Sequence, residues 1–211
     1  MNRSAAVHEP YSEVSQQREA NLFGMYIFLG TEAMLFGGFL AATYVVRILH
    51  PEEAASAAQH LKLWPGAVNT AVLLTSSLFV AIAVTVARAG RRRAAALCLA
   101  LTVGLGILFL AIKATEYLQE YREGLMPFSG PASPFERPAE HLFFNLYLVG
   151  TCLHALHLTI GIGVIAVLAW RIALGTTPVP RRAITLEVAG LYWHLVDVVW
   201  VFIYPVFYLA R

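Results

Sequence analysis

The chain has 211 residues, of which 58% are hydrophobic and 13% charged, and its mean hydropathy is +0.64. This balance excludes an ordinary water-soluble domain, and a formal net charge of +2 gives no basis for nucleic-acid binding. The sequence is that of an integral membrane protein.

Residues 1–20 are polar and carry Arg3 and Arg18, so they read as a short cytoplasmic segment and not as a cleavable leader. Five apolar runs follow, each long enough for the roughly 20 residues that a helix needs to cross a hydrocarbon core. They extend from Leu22 to Val46, Ala67 to Ala87, Ala94 to Leu118, Leu142 to Trp170 and Leu186 to Leu209. The fold class is therefore all-α, with residues 21–211 forming one bundle of five transmembrane helices.

In the first span Glu32 stands about ten residues in, roughly 15 Å deep at ~1.5 Å per residue. A charged carboxylate there is expensive, so it is expected to be protonated or hydrogen-bonded to a neighbouring helix. The stretch His50 to Pro65 interleaves Glu52, Glu53, Gln59, His60 and Lys62 with alanines and reads as a short helix at the membrane surface. In the second span Asn69, Thr75, Ser76 and Ser77 are uncharged polar groups suited to interhelical hydrogen bonds. Arg88 to Arg93 leaves room only for a tight turn, which makes the second and third spans antiparallel neighbours.

Lys113 and Glu116 share a face of the third span near its outer end. They are expected to form an interfacial pair at headgroup level, with Tyr117 in an aromatic belt. Pro127, Gly130, Pro131, Pro134 and Pro138 make the segment Gln119 to Glu140 an irregular loop. The fourth span carries His154 and His157 at its middle, and the fifth carries Glu187, His194 and Asp197. Cys98 and Cys152 lie in different spans and suggest no disulfide.

Such groups admit several readings. A membrane haem protein takes axial histidines from different helices, so His154 or His157 with His194 is a conceivable ligand pair. Acids and histidines at no recognisable metal spacing give only a weak signal for a zinc or di-metal site. The favoured reading is a polar seam in which His154, His157, Glu187, His194 and Asp197 satisfy one another across the last two spans, with no cofactor or metal in this chain. Arg3, Arg18, Arg88, Arg91, Arg92, Arg93, Arg171, Arg181 and Arg182 fall on one side, against Arg47, Lys62, Arg122, Arg137 and Arg211 on the other. This bias places the N-terminus in the cytoplasm and the C-terminus outside.

Several of these segments together resemble subunit III of the haem-copper oxygen reductases, the cytochrome c oxidase subunit III family, in its short five-helix bacterial form. The strongest likeness is Gly190-Leu191-Tyr192-Trp193-His194 followed by Val196-Asp197-Val198-Val199-Trp200. Phe28-Leu29-Gly30-Thr31-Glu32, Asn69-Thr70 with Leu74-Thr75-Ser76-Ser77, Leu105-Gly106-Ile107-Leu108-Phe109-Leu110 and Gly150-Thr151-Cys152-Leu153-His154-Ala155-Leu156-His157 follow the family in order. Lys113 stands where the family often has glutamine.

The resemblance implies an accessory subunit of an enzyme complex in the bacterial plasma membrane, with no catalytic residues of its own. It implies packing against oxidase subunit I and contact with other oxidase subunits and with structural phospholipids. Haems and copper are expected in the partner subunits. The role implied is support of stability and proton uptake in a proton-translocating aerobic respiratory oxidase, and Glu32 matches the family's carbodiimide-reactive acid. Alternatives are the accessory protein of a nitric oxide reductase, a small proton-coupled transporter using Glu32 and the seam as a relay, and a membrane cytochrome. Binding of the electron donor belongs to other subunits of such a complex.

Overall fold

A computed structural model describes residues 14–126, 134–135, 137–177, 179 and 183–209. Among them six helices occur: α1 (Val14–Leu49), α2 (Pro51–Gln59), α3 (Leu63–Arg88), α4 (Arg92–Arg122), α5 (Pro138–Leu174) and α6 (Ala183–Tyr208). All but α2 are long and apolar enough to cross a membrane. Continuous helix is what apolar runs of this length must form in lipid, where every backbone N–H and C=O has to be satisfied within the segment.

The helices outrun the apolar runs. Helix α4 continues to Arg122 and α5 begins at Pro138, so both ends of the proline-rich segment expected to be irregular are helical. Pro138 sits in the first turn of α5, where its missing N–H is no loss, and the Arg137 N–H donates to the Glu140 carboxylate at 3.2 Å. Residues 127–133 and 136, with the remaining part of that expectation, lie outside the described residues.

The short α2 forms where a surface helix was expected, but its alanine side is not turned outward. Ala54, Ala57 and Ala58 are buried, and α2 packs chiefly on α5. Small side chains let the two helices come close.

Alternating direction gives the bundle two ends. One gathers the start of α1, the α3–α4 turn, the end of α5 and the start of α6; the other gathers α2, the start of α3, the end of α4 and Tyr208. At the first end Gly90, with φ of +74°, turns the chain so that the Arg91 N–H reaches the Val86 carbonyl at 2.9 Å, closing α3 into α4. These two helices pack along each other as the tight turn demands.

Helix α6 is central and α1 peripheral. Half of the apolar stretch of α6, 50%, is buried against 6% of that of α1. Helix α6 packs on α3, α5, α1 and α2, and α1 packs on α6, α5 and α2 but on neither α3 nor α4. Around α6 lies an aromatic core in which Trp193, Trp200, Phe109, Phe143, Tyr147, Phe207 and Tyr208 are all fully enclosed. The Phe109 and Trp200 rings meet edge to face at 4.8 Å.

Gly106 on α4 makes that closeness possible. A Cβ there would come within 2.9 Å of Ile162 and 3.0 Å of the Trp193 ring. Gly106→Val is expected to destabilise the bundle by about 1–3 kcal/mol through overpacking. Equilibrium unfolding of the purified chain in mixed micelles measures this, and an unchanged midpoint would show that the α4–α6 contact is looser than drawn.

Candidate functional site

Glu32 reaches from the middle of α1 to His157 of α5, with Oε2 2.9 Å from Nε2 and side-chain exposures of 15% and 13%. The other ring nitrogen, Nδ1, lies 2.8 Å from the Leu153 carbonyl. A carbonyl oxygen only accepts, so Nδ1 carries a hydrogen. One proton is then held between Nε2 and the carboxyl, as neutral acid and neutral imidazole or as carboxylate and imidazolium. Either arrangement leaves the pair without net charge, which is how an acid and a base are sheltered in a low-dielectric interior. Phe36 sets the ring edge-on at 5.1 Å, and the Tyr192 hydroxyl donates to the His157 carbonyl at 3.0 Å.

On the opposite flank of α6, His194 Nδ1 meets the Ser77 hydroxyl of α3 at 2.5 Å. Trp193 donates its indole N–H to Ser76 at 3.0 Å, and Trp200 donates to Thr70 at 3.1 Å. Asp197, on the same helix, is buried with neither of its side-chain oxygens making a hydrogen bond, although the Ser77 hydroxyl is near enough to interact with it. His154 and Asn69 are also enclosed without hydrogen bonds. The His154 ring packs on Phe109 at 5.5 Å and on Trp200 at 5.1 Å. The serines thus make the interhelical bonds expected of them, whereas Thr75 bonds back to Ala71 of its own helix.

The single seam expected across the last two spans is not what these residues form. His157 faces α1, His194 faces α3, and His154 turns into the aromatic core. Neighbours three apart on a helix point about 60° away from each other, enough for His154 and His157 to meet different partners. Glu187 belongs to a different part of the molecule, clamped by Arg18 of α1 at 3.2 Å and Arg88 of α3 at 2.9 Å. His157 has both ring nitrogens engaged, by Glu32 and by the Leu153 carbonyl, whereas His194 is held through Nδ1. Among the described residues no three His, Cys, Asp or Glu side chains converge as metal ligands.

Lys113 and Glu116 are paired, at 3.0 Å, but each is only 3% exposed. They point into the bundle and not toward headgroups as an interfacial pair would, because the far ends of α5 and α6 supply polar partners there. The Lys113 ammonium also donates to Tyr147 at 3.0 Å and to Tyr208 at 2.8 Å, spending all three of its hydrogens. It lies 5.0 to 5.5 Å from the ring centres of Tyr117, Tyr147, Trp200 and Tyr208, a cage of four aromatic faces. Tyr208 donates to Glu116 at 2.5 Å, and Tyr147 donates to Glu120 at 2.7 Å. Tyr117 is not an outward-facing belt residue: its hydroxyl donates to Thr151.

Sequence reasoning missed Glu120, Tyr147 and Tyr208. Glu120 stands seven residues after Lys113 on the face of Lys113 and Glu116, a signal that was present in the spacing. The tyrosines carried no such signal, since an apolar helix end is a common place for tyrosine. Cys98 and Cys152 are free thiols.

Together these features define a multi-pass helical membrane protein whose ionisable groups are sequestered between helices. Residues 12–210 match the family model described as cytochrome c oxidase subunit III, and the chain belongs to that family. It is similar to cytochrome c oxidase subunit 3 of Lycodon semicarinatus, with 30% identity over 86% of this chain and 66% of the relative. For the Danio rerio protein of the same name the figures are 31%, 88% and 68%, and for that of Thermostichus vulcanus 27%, 89% and 86%. The chain thus spans about two thirds of the length of the first two relatives.

Proposed function

We propose that this chain is a non-catalytic subunit of a haem-copper terminal oxidase, packed against the catalytic subunit I. The observation that carries the reading is the family match over residues 12–210, almost the whole sequence. Haems and copper reside in the partner subunits, where oxygen reduction and proton pumping occur. This chain stabilises the assembly, binds structural phospholipids and supports proton uptake. It lies in a bacterial plasma membrane with the N-terminus in the cytoplasm, as the arginine-rich end of the bundle favours.

The geometry of Glu32 supports a role near a proton pathway or a lipid site without redox chemistry. A carboxyl that shares one proton with His157 in apolar surroundings has the properties that carbodiimide modification requires. The sparse packing of α1 supports contact with lipid or with a neighbouring subunit along that helix.

The test is purification of the tagged chain from its native membrane at low detergent. The expected result is a complex containing a haem-bearing polypeptide with cytochrome oxidase activity, in which carbodiimide labels Glu32 and fails to label Glu32→Gln. Co-purification with a nitric oxide-reducing complex would move the chain to that enzyme. Recovery of the chain alone, with proton-coupled solute uptake in vesicles, would overturn the reading.

A further inference from the structure

We propose that the Lys113–Glu116–Glu120 cluster is a binding site for one proton, held on Glu120 and exchanged with water at the α2 end of the bundle. The inference is independent of the complex that the chain joins. It begins with charge. Two carboxylates and one ammonium are enclosed together, Lys113 and Glu116 at 3% exposure and Glu120 at 4%. One positive charge is missing, and a net negative charge in such surroundings demands a proton or a cation.

Hydrogen bonding says which carboxyl is short. Glu116 receives Lys113 on Oε2 and Tyr208 on Oε1, so both of its oxygens are served as a carboxylate's should be. Glu120 receives Tyr147 on Oε1, and its enclosed Oε2 has no partner. An uncharged carboxylic acid tolerates a missing bond at far lower cost than an ion does. Glu116 is therefore the counter-ion of Lys113, and Glu120 the acid.

The route to water is a narrow cleft lined by His60, Lys62, Glu116, Gln119, Glu120 and Glu123. Lys62 spans its mouth, bound to Gln119 at 2.8 Å and to Glu123 at 3.1 Å, with about half of both charged side chains in solvent. The cleft has no space for a water molecule, so a hydrated ion does not fit. A proton needs no such space: it can be passed from His60 or Glu123 at the rim when the exposed Lys62 side chain swings aside. The groups that face Glu120 and set its occupancy are Lys113 and Glu116 of its own helix, Glu123 just past its end, Tyr147 of α5, and His60 and Lys62 of the α2–α3 link. Tyr208 of α6 and Tyr117 complete the shell.

The experiment is infrared spectroscopy of the intact complex reconstituted in lipid nanodiscs, in H2O and D2O, with thermal unfolding of the same samples. The wild type minus Glu120→Gln difference is expected to show the carbonyl-stretch band of a protonated carboxyl, shifted in D2O. Glu120→Gln imitates the protonated acid and is expected to keep the wild-type unfolding temperature, while Glu116→Gln, which deprives Lys113 of its counter-ion, lowers it. Absence of the band, or a loss in Glu120→Gln equal to that in Glu116→Gln, overturns the proposal. So does stabilisation of the wild type, but not of Glu120→Gln, by added sodium or calcium, which would make the ligand a metal cation.

Discussion

Lys113→Met is expected to remove about 3–5 kcal/mol of stability, the usual consequence of deleting one partner of a buried ion pair. Methionine fills most of the volume of the lysine stem, so the loss is electrostatic and not a packing defect. The ammonium is the common donor to Glu116, Tyr147 and Tyr208, and its removal leaves the Glu116 carboxylate enclosed without a counter-ion. The four aromatic faces around it lose their cation as well. Adding Glu116→Gln to Lys113→Met should recover most of the loss, because the stranded charge is then gone. Unfolding midpoints of the two single variants, the double variant and the wild type give the coupling directly. Additive losses would mean that lysine and glutamate do not depend on each other, and the account of the cluster would fail.

Trp193→Ala is expected to cost about 3–5 kcal/mol, the range for deleting a large enclosed aromatic side chain. Trp193 is fully buried, lies against Gly106 on α4 and Gly161 on α5, and donates its indole N–H to Ser76 on α3. It is thus the point at which three helices meet α6. Trp193→Phe keeps most of the ring and loses the hydrogen bond, so about 1–2 kcal/mol is expected for it. Denaturation of both variants in mixed micelles separates packing from hydrogen bonding. Equal losses in the two would show that the Ser76 bond, and not the filled volume, holds the junction.

The five spans were legible because a membrane imposes one demand on every residue in them, and long apolar runs have a single stable answer. Their ends were not. Hydropathy falls at Gln119 and Glu120, but α4 runs on to Arg122 since nothing in those residues disfavours helix. That boundary hid Glu120 among loop residues and with it the character of the buried cluster. The isolated candidates Glu32, His157, His194 and Asp197 were visible as polar groups in apolar segments. Their partners depended on helix rotation and neighbour order, which one sequence does not encode locally. Glu32 thus meets His157, 125 residues away, across two helices not adjacent in the chain. Glu187 was grouped with the histidines, although its partners are two arginines of other helices at the end of the bundle.

The attachment of α1 follows a different rule from that of the other spans. Gly24, Gly30, Gly37 and Gly38 face open space, and the polar ties include Arg18 to Glu187 at one end and Glu32 to His157 near its centre, beside a narrow apolar contact made by Phe36 and Phe39. A helix held by polar rivets and one narrow apolar seam, with 6% of its apolar stretch buried, is the cheapest part of the bundle to swing outward.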